Sequence, residues 1–133
     1  MQISIESGSG QYQVTGYAAG RVTLGYRDGA RDRTLEVCEP VVLTGSTLLT
    51  TWRPADAEHL QAADFDAVLE LEPEVVLLGS GERLRFPGSA VQRRFLEAGI
   101  GFEVMDTAAA CRTYNVLMME GRRVAAVLLI GMA

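Results

Sequence analysis

Between Met105 and Arg122 the chain gathers most of the side chains able to do chemistry: Asp106, Thr107, Cys111, Arg112 and Tyr114. Asp106 stands where a general base would sit at the mouth of a helix, and where an aspartate is also a favoured N-cap. Cys111 and Arg112 lie just over one turn into that helix. There the helix dipole and a guanidinium together lower a thiol pKa, whereas a cysteine is equally suited to being a small buried hydrophobe. Arg112 could clamp a carboxylate or phosphate through two parallel hydrogen bonds, or pair with Asp106, Glu103 or Glu120. Tyr114 fits an aromatic anchor held by a hydrogen bond better than it fits an acid.

A second segment, Gly79-Ser80-Gly81, follows the apolar run Val75-Val76-Leu77-Leu78. Glycines there let backbone N–H groups form an anion-binding concavity; the alternative is a tight turn out of a strand. In open α/β sheets ligands bind beyond the carboxyl ends of the strands. If strands 75–78 and 102–105 are neighbours, Gly79, Ser80 and Gly81 face Asp106, Thr107 and Arg112 across one crevice, with Cys111 and Tyr114 as further candidates on the same helix. No GxGxxG helix entry accompanies the turn, which excludes a dinucleotide site.

Other chemistries are excluded by what the chain lacks. All twelve basic residues are arginine, so there is no lysine for a Schiff base or a P-loop. His59 is the sole histidine, and Cys38 and Cys111 lack metal-ligand spacing, so neither a zinc site nor any other metal or cofactor is expected. No catalytic residue is assigned. A net charge of −5 repels phosphate backbones and argues against nucleic acid. The longest apolar run, Val124 to Gly131, is about eight residues against the ~20 of a membrane span. Met1 to Glu6 has no export-signal pattern, so a cytoplasmic chain with reduced thiols is expected.

The elements that must position these residues follow from periodicity. With 133 residues and 48% hydrophobic content, one domain spanning 1–133 is expected. Residues 12–17 and 21–26 alternate as half-buried strands, Asp28-Gly29 marks a hairpin into 34–38, and 41–44 and 47–52 are short strands that close a β-rich half at Arg53-Pro54. Beyond it come a helix over 62–72, a strand at 75–78, a helix from Pro87 to Gly99, a strand at 102–105, a helix from Thr107 to about Glu120 and a strand over 123–130. Phe65, Val68, Leu69 and Leu71, then Val91, Phe95 and Leu96, then Ala110, Tyr114, Leu117 and Met118 are the apolar faces of the three helices. The fold class is α/β, or α+β, with a β-rich N-terminal half packed on a C-terminal α/β unit.

Pro73-Glu74, Gly79-Ser80-Gly81, Gly99-Ile100, Glu103 to Thr107, Ala110 to Leu117 and Glu120-Gly121-Arg122 together resemble the Mth938-like family. The resemblance implies a three-layer single domain. It also brings in a mitochondrial relative that acts as an assembly factor for respiratory complex I, but no reaction or cofactor. It therefore implies a non-catalytic protein-binding module whose partners are membrane-complex subunits, using surface around 105–122. The alternative from the residues alone is a small-anion-binding protein or enzyme at the Gly79 to Gly81 turn and the 106–112 helix start.

Overall fold

The computed structural model describes residues 2–4, 11–52, 54 and 59–131; Met1, Ile5, Glu6, Arg53 and the 55–58 stretch before His59 lie outside the described residues. The strands are β1 (Gln2–Ser4), β2 (Gln13–Ala18), β3 (Arg21–Asp28), β4 (Arg31–Val37), β5 (Val41–Leu43), β6 (Thr47–Leu49), β7 (Val75–Gly79), β8 (Gly101–Met105) and β9 (Val124–Leu128). A 3-10 turn, Ala62–Phe65, leads into α1 (Asp66–Glu70); α2 (Ser89–Ala98) and α3 (Thr107–Met119) are the longer helices.

Two sheets form. One has six strands in the order β1-β6-β5-β9-β7-β8, and the other has three, β2-β3-β4. β7 lies parallel to both β8 and β9, while β5 is antiparallel to β9. The described elements before residue 54 are all strands and those after it alternate helix and strand, as expected, but the two halves are not separate layers: β1, β5 and β6 join the large sheet, and only β2, β3 and β4 stand apart. The reason is in β5, where Val41, Val42 and Leu43 are all buried. A strand apolar on both faces needs cover on both, and the large sheet supplies it.

Three layers result. On one face of the large sheet Phe65, Val68, Val91 and Phe95 of the first two helical segments pack on Val42, Val76, Leu78, Ala125 and Val127. On the other, Ala110, Cys111, Tyr114 and Met118 of α3 pack on Leu43, Val75, Leu77, Val124, Ala126 and Leu128, joined by Val22, Leu24 and Val37 of the small sheet. The period-2 side-chain alternation of β7 and β9 thus serves two cores. Leu96, expected on the buried face of α2, is instead 79% exposed. The hairpin also differs from expectation, with Asp28 pairing with Arg31 and Gly29-Ala30 forming the turn, Gly29 at φ 64°. The ladder runs to the two-residue turn, and the exposed ion pairs Arg27–Asp32 and Arg33–Asp28 lie across its end.

α3 also holds the small sheet by polar contacts. The Tyr114 hydroxyl donates to the Tyr12 carbonyl at 2.8 Å. One residue on, the Asn115 side chain accepts the Val14 N–H at 2.9 Å and donates to the Val14 carbonyl at 2.8 Å, taking the place of a neighbouring strand along β2. The buried Tyr12 hydroxyl, by contrast, has no partner among the described residues. Removing one member of a buried hydrogen bond costs about 1–3 kcal/mol, whereas deleting an orphaned hydroxyl is neutral or favourable. Urea unfolding should therefore show Tyr114→Phe and Asn115→Ala each destabilised by about 1–3 kcal/mol, while Tyr12→Phe matches or exceeds the parent.

Candidate functional site

β7, β8 and β9 end side by side, Gly79 pairing with Met105 on one flank and Leu128 on the other. The Gly79-Ser80-Gly81 turn and the start of α3 do meet. Their polar groups, however, are already used on one another. Ser80 N–H donates to the Met105 carbonyl at 2.8 Å, and Thr107 N–H to the Gly81 carbonyl at 2.9 Å. Gly81 N–H donates to Thr107 Oγ1 at 2.8 Å, and that hydroxyl donates to the Leu129 carbonyl at 2.9 Å. The Ser80 hydroxyl donates to the Arg83 carbonyl and accepts the Arg85 N–H. Asp106 is the N-cap, its Oδ1 accepting the Ala109 N–H at 2.8 Å. A concavity whose N–H groups point inward to the protein has few donors to offer an anion.

The glycines serve packing and backbone. A Cβ on Gly79 would lie 3.0 Å from both Cα and Oγ1 of Thr107 and 3.1 Å from the Ala110 Cβ, so its absence lets α3 seat against β7. Gly81 has φ 103°, a conformation that strains any side chain.

Beside the turn is a polar crevice of about 270 Å3 whose lining includes Tyr17, Gly81, Glu82, Thr107, Ile130 and Gly131. Of the residues expected to gather here, Gly81 and Thr107 line it; Gly79, Ser80, Asp106, Cys111, Arg112 and Tyr114 do not. Its one ionisable carboxylate, Glu82, has the wrong sign for holding an anion. Burial, with a smaller contribution from Glu82, keeps the Tyr17 phenol above its ordinary pKa.

Cys111 and Tyr114 belong to the core. Cys111 is 3% exposed, and burial pushes its thiol up to about 11, with Arg112 opposing only weakly. That is the reverse of an activated nucleophile. Burial likewise raises the Tyr114 phenol. Arg112 is exposed and makes no ion pair among the described residues, so the partners Asp106, Glu103 and Glu120 considered for it are not engaged. Glu74 accepts the Arg123 N–H at 3.0 Å and pairs with Arg122 at 3.5 Å, and that N–H bond is the main reason its carboxyl sits below its usual range.

Sequence reasoning assigned no role to Asn115, although an asparagine in mid-helix, a poor helix former, signals that its amide is used elsewhere. It also missed the exposure of Val116 and Met119 on the outer face of α3 and of Phe86 and Leu96 beside β8.

A family model for a protein of unknown function, DUF498/DUF598, matches residues 14–129. The chain belongs to the DUF498/DUF598 family. Among curated relatives, a Francisella tularensis protein named 13 kDa major membrane protein is 27% identical over 95 residues, covering 71% of this chain and 77% of that one. The human NADH dehydrogenase [ubiquinone] 1 alpha subcomplex assembly factor 3 is 35% identical over 80 residues, 59% of this chain and 44% of its own. The chain thus spans under half the length of that assembly factor. Solved structures agree on the fold. A Xanthomonas campestris protein is 36% identical with a TM-score of 0.79, covering 95% of this chain and 89% of that one. A Bordetella pertussis protein described as a Mth938-like domain is 27% identical with a TM-score of 0.69, covering 99% of this chain and 94% of its own. The DUF498/DUF598 chain is a Mth938-like α+β domain, and none of its described helices is long and apolar enough to cross a membrane.

Three outcomes follow from the packing of the turn and of α3. Gly79→Ala should lower stability by about 1–3 kcal/mol in chemical denaturation, because backbone and not a flexible side chain must yield. In the folded protein near pH 8, a thiol reagent should titrate the exposed Cys38 promptly and Cys111 only on unfolding. Since the folded-state pKa of Cys111 is raised, its contribution to stability is complete below the unfolded value of 9.0 and is lost as pH climbs toward about 11. Denaturation midpoints measured across that window should fall, and fall less in Cys111→Ala.

Proposed function

We propose that this chain is a non-catalytic protein-binding module that helps assemble a membrane complex, acting from the cytoplasm. The observation that carries this reading is the outer face of α3. Arg112, Val116 and Met119 recur there at helical spacing, with Val116 57% and Met119 71% exposed. Large apolar side chains beside a guanidinium with no ion pair among the described residues form the composition of a protein interface, in which arginine and methionine are enriched. The name borne by the mammalian assembly-factor relatives points the same way and suggests respiratory complex I subunits as the partner class. The small-anion alternative rests on the crevice beside Gly81, where donors are internally satisfied and Glu82 supplies negative charge.

The test is affinity purification of the tagged chain from cells that build complex I, alongside a Val116→Glu/Met119→Glu variant checked for an unchanged melting temperature. The parent should retain membrane-complex subunits, and the variant should lose at least about tenfold of that recovery, as expected when central apolar contacts are replaced by charge. Equal recovery by both chains, or no membrane-complex subunit with either, would overturn the proposal.

A further inference from the structure

The edges of the two sheets are treated unequally. The outer edge of β2 is met by the Asn115 amide. That of β4 carries exposed Arg31, Asp32, Arg33 and Glu36, the usual guard against strand addition. β8 ends the large sheet with no side-chain amide along its outer edge among the described residues and with a single charged residue, Glu103. Gly101 N–H donates to the Glu74 carbonyl and the Met105 carbonyl accepts the Ser80 N–H. Because bonding alternates along a parallel ladder, Gly101, Glu103 and Met105 face β7, and the N–H and C=O of Phe102 and Val104 face outward.

Those outward groups open onto a groove of about 590 Å3 between β8 and α2, lined by Phe86, Leu96, Ile100, Phe102, Val104 and Arg93 among others. Phe86 is 66% and Leu96 79% exposed, although Phe102 beneath them is stacked on Phe95 with ring centroids 4.6 Å apart. The floor is therefore packed, and the apolar rim is uncovered. We infer that β8 and α2 form a docking groove for an extended segment of a partner protein, which adds to the large sheet as a seventh strand.

Charge decides the occupant. Arg93 is the one ionised side chain lining the groove, and it makes no ion pair among the described residues. Exposed Glu103 lies on the opposite face of β8. A segment with apolar residues toward Leu96 and Phe86, a carboxylate at Arg93 and a basic residue beside Glu103 satisfies every feature. A second copy of this chain fits less well: antiparallel pairing about the middle of β8 sets Glu103 against Glu103, and like charges across a ladder destabilise it. Nor does a copy supply a carboxylate from β8 to Arg93 other than Glu103, which lies on the opposite face. The backbone of the added strand supplies affinity and its alternate side chains supply selectivity.

This inference rests on the protein-binding reading and specifies a second contact, separate from the α3 face. It is tested by selecting a displayed library of random twelve-residue peptides on the full chain and synthesising the strongest binder. Enriched sequences should alternate apolar and polar residues and include an acid. Bound peptide should slow amide exchange at Phe102 and Val104, which a ligand held by side chains alone would not do. Leu96→Glu should abolish binding, and Arg93→Glu should weaken it at least about tenfold while shifting selection on that variant from acidic to basic peptides. Binders that are amphipathic helices, that leave the Phe102 and Val104 amides exchanging freely, or that are enriched equally on the Leu96→Glu chain overturn the inference. So does sedimentation showing a dimer of the parent that Leu96→Glu dissolves. If native partners are lost in Val116→Glu/Met119→Glu but kept in Leu96→Glu, only the groove fails. If peptides dock at β8 while no membrane-complex subunit is ever recovered, only the assembly reading fails.

Discussion

The architecture depends on how α3 is held between two sheets that share no strand. Ala110, Cys111 and Tyr114 lie in the core shared with β7 and β9, while the Tyr114 hydroxyl and the Asn115 amide reach the backbone of Tyr12 and Val14. Apolar contact alone lets a small sheet slide over a helix, because the hydrophobic effect has no direction. Hydrogen bonds to main-chain groups set the register. The Asn115 pair also satisfies the N–H and C=O of Val14, which would otherwise be edge groups of β2.

The start of the same helix is fastened with similar economy. Thr107 accepts from Gly81 and donates to Leu129, so one hydroxyl joins the loop after β7, the start of α3 and the residue after β9. Glu74, Arg122 and Arg123 tie the opposite ends of β7 and β9 together. The residues that make the chain recognisable as a member of its family are in large part these fasteners: Glu74, the glycine turn, Asp106-Thr107, Tyr114-Asn115 and Arg122. They identify the fold because the fold needs them. A dense motif of polar side chains is thus compatible with contacts to other molecules elsewhere, as proposed for the outer face of α3 and for β8.

Much of the architecture was legible in the chain because period-2 and period-3.6 patterns are local. Residues 75–78 and 123–130 read as buried strands, and the observed strands Val75–Gly79 and Val124–Leu128 are buried throughout. Asp106 and Gly121 bracket α3 as its cap and left-handed stop, the latter at φ 81°. The crevice was legible only in outline. Parallel neighbours β7 and β8 do bring the two loops together, but whether an N–H group is free or spent depends on what the opposite loop offers, which spacing cannot show.

By itself the sequence determined most of the strands and helices beyond residue 11, that a zinc site of several histidines and lysine chemistry are unavailable, and that a capped helix starts at Asp106-Thr107. These follow from residue type and periodicity, which act over a few residues. Tertiary structure decided that β5 and β6 belong with β9 and not with β2 to β4, and that Cys111 is a buried neutral thiol. It also decided that Leu96 lies uncovered beside an open strand edge. Each of those depends on which surfaces meet, and burial, desolvation and the pairing of an edge are properties of the assembled layers, not of any segment alone.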